Sequence, residues 1–405
     1  MNRIRYTILI FSFFSVLGAC KPNSGDKKET TTVPIDSLLQ LRYTKLLAYP
    51  LDSAGFPRNY NLKTKKVRKV PSKDWTSGFF PGNLWHLYQL TNNSEYKKKA
   101  KAWTVFMEKE KFNGGTHDMG FKIFSSFGEG IKVAPNTHYE QVIVKAANTL
   151  SNRFNKNVGS LRSWDFNRDT WEFPVIIDNM MNLELLFEAT KISGDSTYHK
   201  IAVSHANTAL ENHFREDGSS YHVVVYDTIT GNTKDKVTHQ GYNANSAWAR
   251  GQAWGIYGYT MCYRYTKDIK YLEQAKVSAS FYLNHPHLRS DGIPYWDFND
   301  PAIPNAVRDV SAATIVTSAF YELYNYDNDP KYLAYADKVL NNLQTEEYIL
   351  NASIDAPFIL KHSTGNWPKN DELDEPIVYG DYYFLEALLR KKKNKIRGRV
   401  DFRFL

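Results

Sequence analysis

Residues 246–271 read Ser246-Ala-Trp-Ala-Arg250-Gly-Gln-Ala-Trp254-Gly-Ile-Tyr257-Gly-Tyr-Thr-Met-Cys262-Tyr-Arg-Tyr265-Thr-Lys-Asp-Ile-Lys-Tyr271. The stretch from Ser246 to Tyr265 is apolar on nearly every side, and a helix of that kind must be covered all round. Similar runs occupy 78–90, 174–190 and 312–326, with a less regular one at 120–127 and a sixth at 380–390. A short polar turn ending in a tyrosine recurs along the chain, at Tyr96, Tyr139, Tyr198, Tyr271 and Tyr332, spaced 43, 59, 73 and 61 residues apart. After each tyrosine the text is charged and rich in Ala, as in Tyr332-Leu-Ala-Tyr-Ala-Asp-Lys-Val-Leu340, which reads as an outer helix with one wet face. The helix-like segment 35–48 has no inner partner before it, and 380–390 has no outer partner after it. Joining these ends predicts an all-α (α/α)6 toroid of six inner and six outer helices. An open helical solenoid is the alternative, because spacing does not establish closure. Loops rich in Gly, Pro and Trp precede the inner helices and are expected at one mouth of the ring.

The rest of the composition fits such a ring. The chain has 405 residues, 42% hydrophobic and 15% aromatic, enough to bury a large core and incompatible with a disordered protein. Its net charge of +8 is carried by Arg3 and Arg5 and by a tail containing Arg390, Lys391, Lys392, Lys393, Lys395, Arg397 and Arg399. The body between them is close to neutral, so no nucleic-acid footprint is expected. Residues 1–19 have a basic start and a short apolar run, the pattern of an export signal. Leu17-Gly18-Ala19-Cys20 resembles the lipobox of bacterial lipoproteins, which makes Cys20 the expected lipidation site, residues 20–34 a tether, and the periplasm or outer membrane the expected location. An ordinary cleaved signal is the plainer alternative. The folded domain is then expected over 35–390, with 391–405 as a solvated basic extension. Cys262 has no partner for an internal disulfide and reads as a buried apolar residue.

Several polar residues stand on apolar inner runs. Asp178 and Asn182 lie four apart on one helical face among Val, Ile and Leu side chains, where a carboxylate is costly unless paired or functional. Burial would raise its pKa toward the range useful for proton transfer; a structural loop cap is the alternative. Ser246, Arg250 and Trp254 form a second stripe, suited to clamping a carboxylated sugar, unless Arg250 pairs with a core acid. Trp75 and Trp164 stand in loops leading to inner segments, as sugar platforms or as packing. His117-Asp118-Met-Gly-Phe121 supplies a second carboxylate. His117, Asp118, His138 and His239 have no convincing metal-ligand spacing, and no metal or cofactor is expected. No Gly-rich phosphate loop, Gly-x-Ser-x-Gly elbow or nucleic-acid motif occurs.

Taken together, Asp74-Trp-Thr-Ser-Gly-Phe-Phe-Pro-Gly82, His117-Asp-Met-Gly-Phe121, Ile176-Ile-Asp-Asn-Met-Met-Asn-Leu-Glu184, Ser246 to Gly258 and Asp374-Glu-Pro-Ile-Val-Tyr-Gly-Asp-Tyr-Tyr-Phe-Leu-Glu386 resemble the unsaturated glucuronyl hydrolases of glycoside hydrolase family 88. The resemblance runs from about 35 to 390 and implies an (α/α)6 barrel acting on lyase-generated oligosaccharides that end in a 4,5-unsaturated uronic acid. It implies that Asp178 is the principal acid/base and Asp118 the second essential carboxylate. It also implies stacking by Trp75 and Trp164 and a uronate pocket lined by His222, Gln240, Arg250 and Trp254, the His222 and Gln240 matches being short. Glycosaminoglycan fragments are the favoured substrates, with Ser363 and Lys369 placed to meet a sulfate. An unsaturated rhamnogalacturonyl hydrolase and a non-catalytic glycan-binding lipoprotein are the rival readings.

Overall fold

The polar turn before each recurring tyrosine is a helix start. Asn93, Asn136, Asp195, Asp268 and Asp329 each stand immediately before a helix, and each side-chain oxygen accepts the backbone N–H two residues on. Such a cap satisfies an otherwise orphaned amide and contributes about 1 kcal/mol. Each tyrosine is the third residue after its cap and is buried. Just upstream, Asn92, Gly194, Lys267 and Asn328 end the preceding helices in the left-handed conformation, each N–H returning to the carbonyl four residues earlier. The recurring punctuation is therefore a left-handed stop joined to a side-chain-capped start, which reverses the chain between antiparallel helices.

The computed structural model describes residues 35–401. The signal 1–19, Cys20, the tether 20–34 and residues 402–405 lie outside the described residues. In chain order the helices are α1 (Ile35–Ala48), α2 (Phe79–Thr91), α3 (Ser94–Val105), α4 (Glu129–Val133), α5 (Thr137–Ser151), α6 (Leu183–Ser193), α7 (Ser196–Asn212), α8 (Ala249–Thr266), α9 (Ile269–Asn284), α10 (Val310–Asp327), α11 (Pro330–Leu343) and α12 (Val378–Asp401). The even-numbered helices form the inner ring, α4 being led in by a π-helix (Gly120–Gly128) and α6 by a 3₁₀ turn (Ile177–Asn182). Each inner element packs on the next, and α12 packs on both α10 and α2, so the ring is closed. The odd-numbered helices are the outer layer. Close packing between inner elements depends on glycine: a Cβ on Gly120 would lie 2.7 Å from the Cα of Asn182, and one on Gly78 2.3 Å from the carbonyl oxygens of Phe121 and Lys122.

The structure departs from the sequence reading in four places. The loops entering the inner ring carry short strands: β1 (Phe56–Asn61), β2 (Lys66–Val70), β3 (Phe154–Asn155), β4 (Ser160–Leu161), β5 (Phe173–Ile176), β6 (Val223–Tyr226) and β7 (Thr233–Val237). Residues 174–176, expected as helix, are in β5, whose short apolar run suits either state until β6 pairs with it. Ser246 lies before α8 rather than on it. Finally, α12 runs unbroken through 390. Arg390 is not a solvated tail residue: its guanidinium pairs with Glu322 at 2.9 Å and Glu386 at 3.3 Å and donates to Tyr257 Oη at 2.7 Å. Lys392, Lys393 and Lys395 are exposed. Cys262 is fully buried.

Candidate active site

Each inner element presents its N-terminal end to the same mouth, because a reversed outer helix follows it. Trp75 precedes α2, Asp118 precedes the π-helix, Asp178 is in the first turn of the 3₁₀ segment, Arg250 is in the first turn of α8, and residues 363–369 precede α12. The positive ends of the helix dipoles therefore converge here and favour anions. A cavity of about 760 Å³ opens at the opposite end, lined by His86, Lys132, Arg264, Glu322 and Arg390 among others. It includes none of the predicted site residues.

The β5–β6 pairing builds the centre. Ile176 is opposite Val223 and the Ile177 N–H donates to the His222 carbonyl at 3.0 Å, so Asp178 just beyond one strand faces His222 just before the other. The backbone N–H groups of His239 and Gln240, beyond β7, both donate to His222 Nδ1, at 3.0 and 3.1 Å. Nδ1 is thus the acceptor, and Nε2 carries the proton. Burial holds the imidazole well below its ordinary pKa, so it is neutral. Its Nε2 lies 3.7 Å from Asp178 Oδ2, an oxygen with no hydrogen-bond partner among the described residues.

Burial pushes the Asp178 carboxyl up to about 7; the charge of Asp118 adds to this, while Arg250 and the nearby indole of Trp254 oppose it. Asp118 is held as an acceptor by the Thr116 hydroxyl, which donates to Oδ2 at 2.7 Å. Buried His117 donates from Nδ1 to the Ser163 carbonyl at 2.7 Å and places Nε2 3.2 Å from Asp118 Oδ1. The loop that carries Trp164 is therefore bonded to His117, the chain neighbour of Asp118.

Trp75 and Trp164 are half-buried on two sides of the mouth. Trp75 lies against Tyr379 and Phe121, with ring centroids 4.9 and 5.4 Å away. Trp164 stacks on Phe166 and meets His222 and His239 edge-on. Gln240 donates from Nε2 to the Gly365 carbonyl at 3.3 Å. Arg250 is 1% exposed. It pairs with Asp309 at 2.7 Å, donates to the carbonyls of Thr364 and Gly365, and lies over Trp248.

Arg250 therefore has the core-acid partner that sequence left as an alternative, and its fork mainly anchors the 364–365 backbone. Trp254 is fully buried against Phe121 and Tyr383. It has no ring face for a sugar, because Phe121 of the π-helix and Tyr383 of α12 pack against it. Ser363 is also buried, its backbone bridged to Glu375 and its hydroxyl against Gly380, so it does not face a sulfate. Lys369 is exposed, and His239 is pushed down to about 4, first by burial and then by the Lys369 ammonium, which puts Lys369 beside the mouth. Thr116, Trp248, Asp309 and Tyr379 had no distinguishing local pattern in sequence. Thr116 bonds Asp118 two residues on, whereas the contacts of Trp248 with His222 and of Asp309 and Tyr379 with Arg250 join different segments of the ring. Among the described residues, no three His, Cys, Asp or Glu side chains are grouped to hold a metal ion.

Residues 55–296 match the model of Glycosyl Hydrolase Family 88. An unsaturated glucuronyl hydrolase of Formosa agariphila is 58% identical over 97% of this chain and 99% of its own length. An unsaturated chondroitin disaccharide hydrolase of Streptococcus agalactiae is 32% identical over 80% of this chain and 83% of its own. Among solved structures, an unsaturated glucuronyl hydrolase specific for heparin superposes with a TM-score of 0.85 at 42% identity, covering 89% of this chain and 96% of its own.

Proposed function

The chain belongs to glycoside hydrolase family 88, and we propose that it removes the terminal 4,5-unsaturated uronic acid from lyase-generated glycosaminoglycan oligosaccharides. The observation that carries the reading is Asp178: a carboxyl held at about 7 at the base of the mouth, with one buried oxygen left without a hydrogen-bond partner among the described residues, beside neutral His222 and in the field of Asp118. A group poised near neutrality can give a proton and then take one back.

The substrate's C4=C5 bond is an enol ether, so the chemistry differs from displacement at the anomeric carbon. Asp178 gives its proton to C4, and the positive charge develops on C5 and the ring oxygen. Water adds to C5 while the ionised Asp178 accepts its proton. The hemiketal at C5 then opens to a ketone, leaving a hemiacetal at C1 that expels the next sugar. Asp118 stabilises the developing positive charge, and His222 Nε2–H orients Asp178 or the water. Trp75 and Trp164 flank the sugar ring, Gln240 lines the pocket, and Arg250 with the converging helix N-termini supplies the field that favours a carboxylate.

Glycosaminoglycan substrates are supported by relatives named for chondroitin disaccharides and for heparin, and Lys369 is the residue placed to meet a sulfate. Incubation with unsaturated disaccharides from chondroitin, heparin and rhamnogalacturonan, followed by loss of ultraviolet absorbance, tests this. Turnover of the rhamnogalacturonan unit alone would identify a pectin enzyme, and binding without absorbance loss a non-catalytic binder. The chain is further proposed to be an exported lipoprotein of the periplasm or outer membrane, anchored through Cys20, because Leu-Gly-Ala-Cys precedes a polar tether. Membrane fractionation of wild type and Cys20→Ser tests it: wild type is expected with the membranes and the variant in the soluble fraction.

A further inference from the structure

We propose that Trp367 is an outer carbohydrate platform, which takes a pyranose ring of the substrate beyond the disaccharide held at Asp178. The proposal rests on the substrate class assigned above. Trp367 stands in a three-residue 3₁₀ turn, Trp367–Lys369, at the tip of a hairpin closed by the Asn366–Asp371 bridge. Its indole is 39% exposed, the one tryptophan among the large exposed apolar side chains of the described residues. It is not loose. The ring lies flat on Trp296, with centroids 4.8 Å apart and planes 7° from parallel. Trp296 is itself fully buried and donates from Nε1 to buried Asp300 at 2.5 Å. One face of Trp367 is thus fixed on an anchored support and the other is left to solvent. A flat aromatic face of this kind complements the C–H face of a pyranose, and little conformational freedom remains to be lost on binding.

The turn is also in the right place. Gly365, two residues before Trp367, accepts hydrogen bonds from both Gln240 and Arg250 at the uronate pocket. Lys369, two residues after it, acts on His239, which packs against Trp164. Arg58 braces the other side of the hairpin, donating to Glu372 and to Asp74 next to Trp75. The platform therefore belongs to the rim of the catalytic mouth. On this reading a disaccharide seated at Asp178 reaches the rim only at the flexible Lys369 side chain, and a third or fourth ring passes over Trp367.

The test compares kcat/KM on an unsaturated disaccharide and on the unsaturated tetrasaccharide of the same glycosaminoglycan, for wild type, Trp367→Ala and Trp367→Phe. The expected result is a tetrasaccharide-selective loss of about three- to tenfold in Trp367→Ala, an unchanged disaccharide value, and substantial recovery in Trp367→Phe. Equal losses on both substrates that Phe restores would mean that the indole only holds the loop, overturning the proposal. Unchanged values on both would overturn it as well. Failure of wild type to act on either substrate would instead overturn the assigned activity, so the two failures are distinguishable.

Discussion

Replacing Asp178 by Asn should make the protein more stable at alkaline pH while disabling it. The native carboxyl sits at about 7 against an ordinary value of 3.8, chiefly through burial. Below about pH 4 it is protonated in both folded and unfolded chains and contributes no pH dependence. As pH rises from 4 to 7 the unfolded chain ionises and the native site does not, so native stability is progressively lost; above 7 the penalty is constant. The full difference corresponds to about 4 kcal/mol. With 12% of the side chain open to solvent, screening leaves about 2 kcal/mol. For a folded unit of this size each kcal/mol moves Tm by about 1 to 2 °C. Thermal melts at pH 4.5, 6, 7 and 8.5 should therefore show Asp178→Asn and wild type nearly equal at pH 4.5, with the variant about 3 °C higher at pH 8.5. A gap that does not change with pH, or a variant that melts lower at pH 8.5, would refute the claim that burial strains this carboxylate.

The same carboxyl sets the alkaline limb of catalysis: kcat of wild type should fall about tenfold per pH unit above about 7, measured by initial rates from pH 5 to 9. Arg250→Met should lower unfolding stability by about 3 to 5 kcal/mol in urea titrations, because it leaves Asp309 buried without its partner. In Lys369→Ala, kcat/KM on a sulfated chondroitin disaccharide should fall about two- to fivefold with the unsulfated disaccharide unaffected, a modest loss because the ammonium is exposed.

The ring was legible because its turns repeat a chemical device. All five polar turns carry a side-chain cap and a buried tyrosine, and four of them a left-handed stop as well, and those residue types are restricted by backbone geometry rather than by distant contacts. Asp178 was legible for a related reason, since a lone acid among Val175, Ile176 and Ile177 is expensive unless it works. The strands were not legible: Pro174 to Ile176 and Val223 to Tyr226 are short apolar runs whose state is decided by each other. Nor were the partners of Arg250 and Trp254. Asp309, Tyr379, Thr364 and Gly365 come from other inner segments, and only closure of the ring shows that Trp254 and Ser363 are sealed from the mouth. That α12 runs on past 390 was not legible, because Arg390 to Lys395 reads as a basic tail in composition and only the folded chain pairs Arg390 with Glu322 and Glu386 and Lys391 with Asp337.

The central claim, that Asp178 hydrates the C4=C5 bond rather than cleaving the glycosidic bond directly, is tested most closely by turnover in D2O with NMR of the released uronate. One solvent deuteron should appear at C4 of a 5-keto product, the ultraviolet absorbance of the double bond should vanish, and Asp178→Asn should show neither. A deuteron found on either face of C4 without preference, as an enol freed by cleavage at C1 would acquire on tautomerising in solution, rather than on the single face presented to Asp178, would mean that the chemistry occurs at the anomeric carbon.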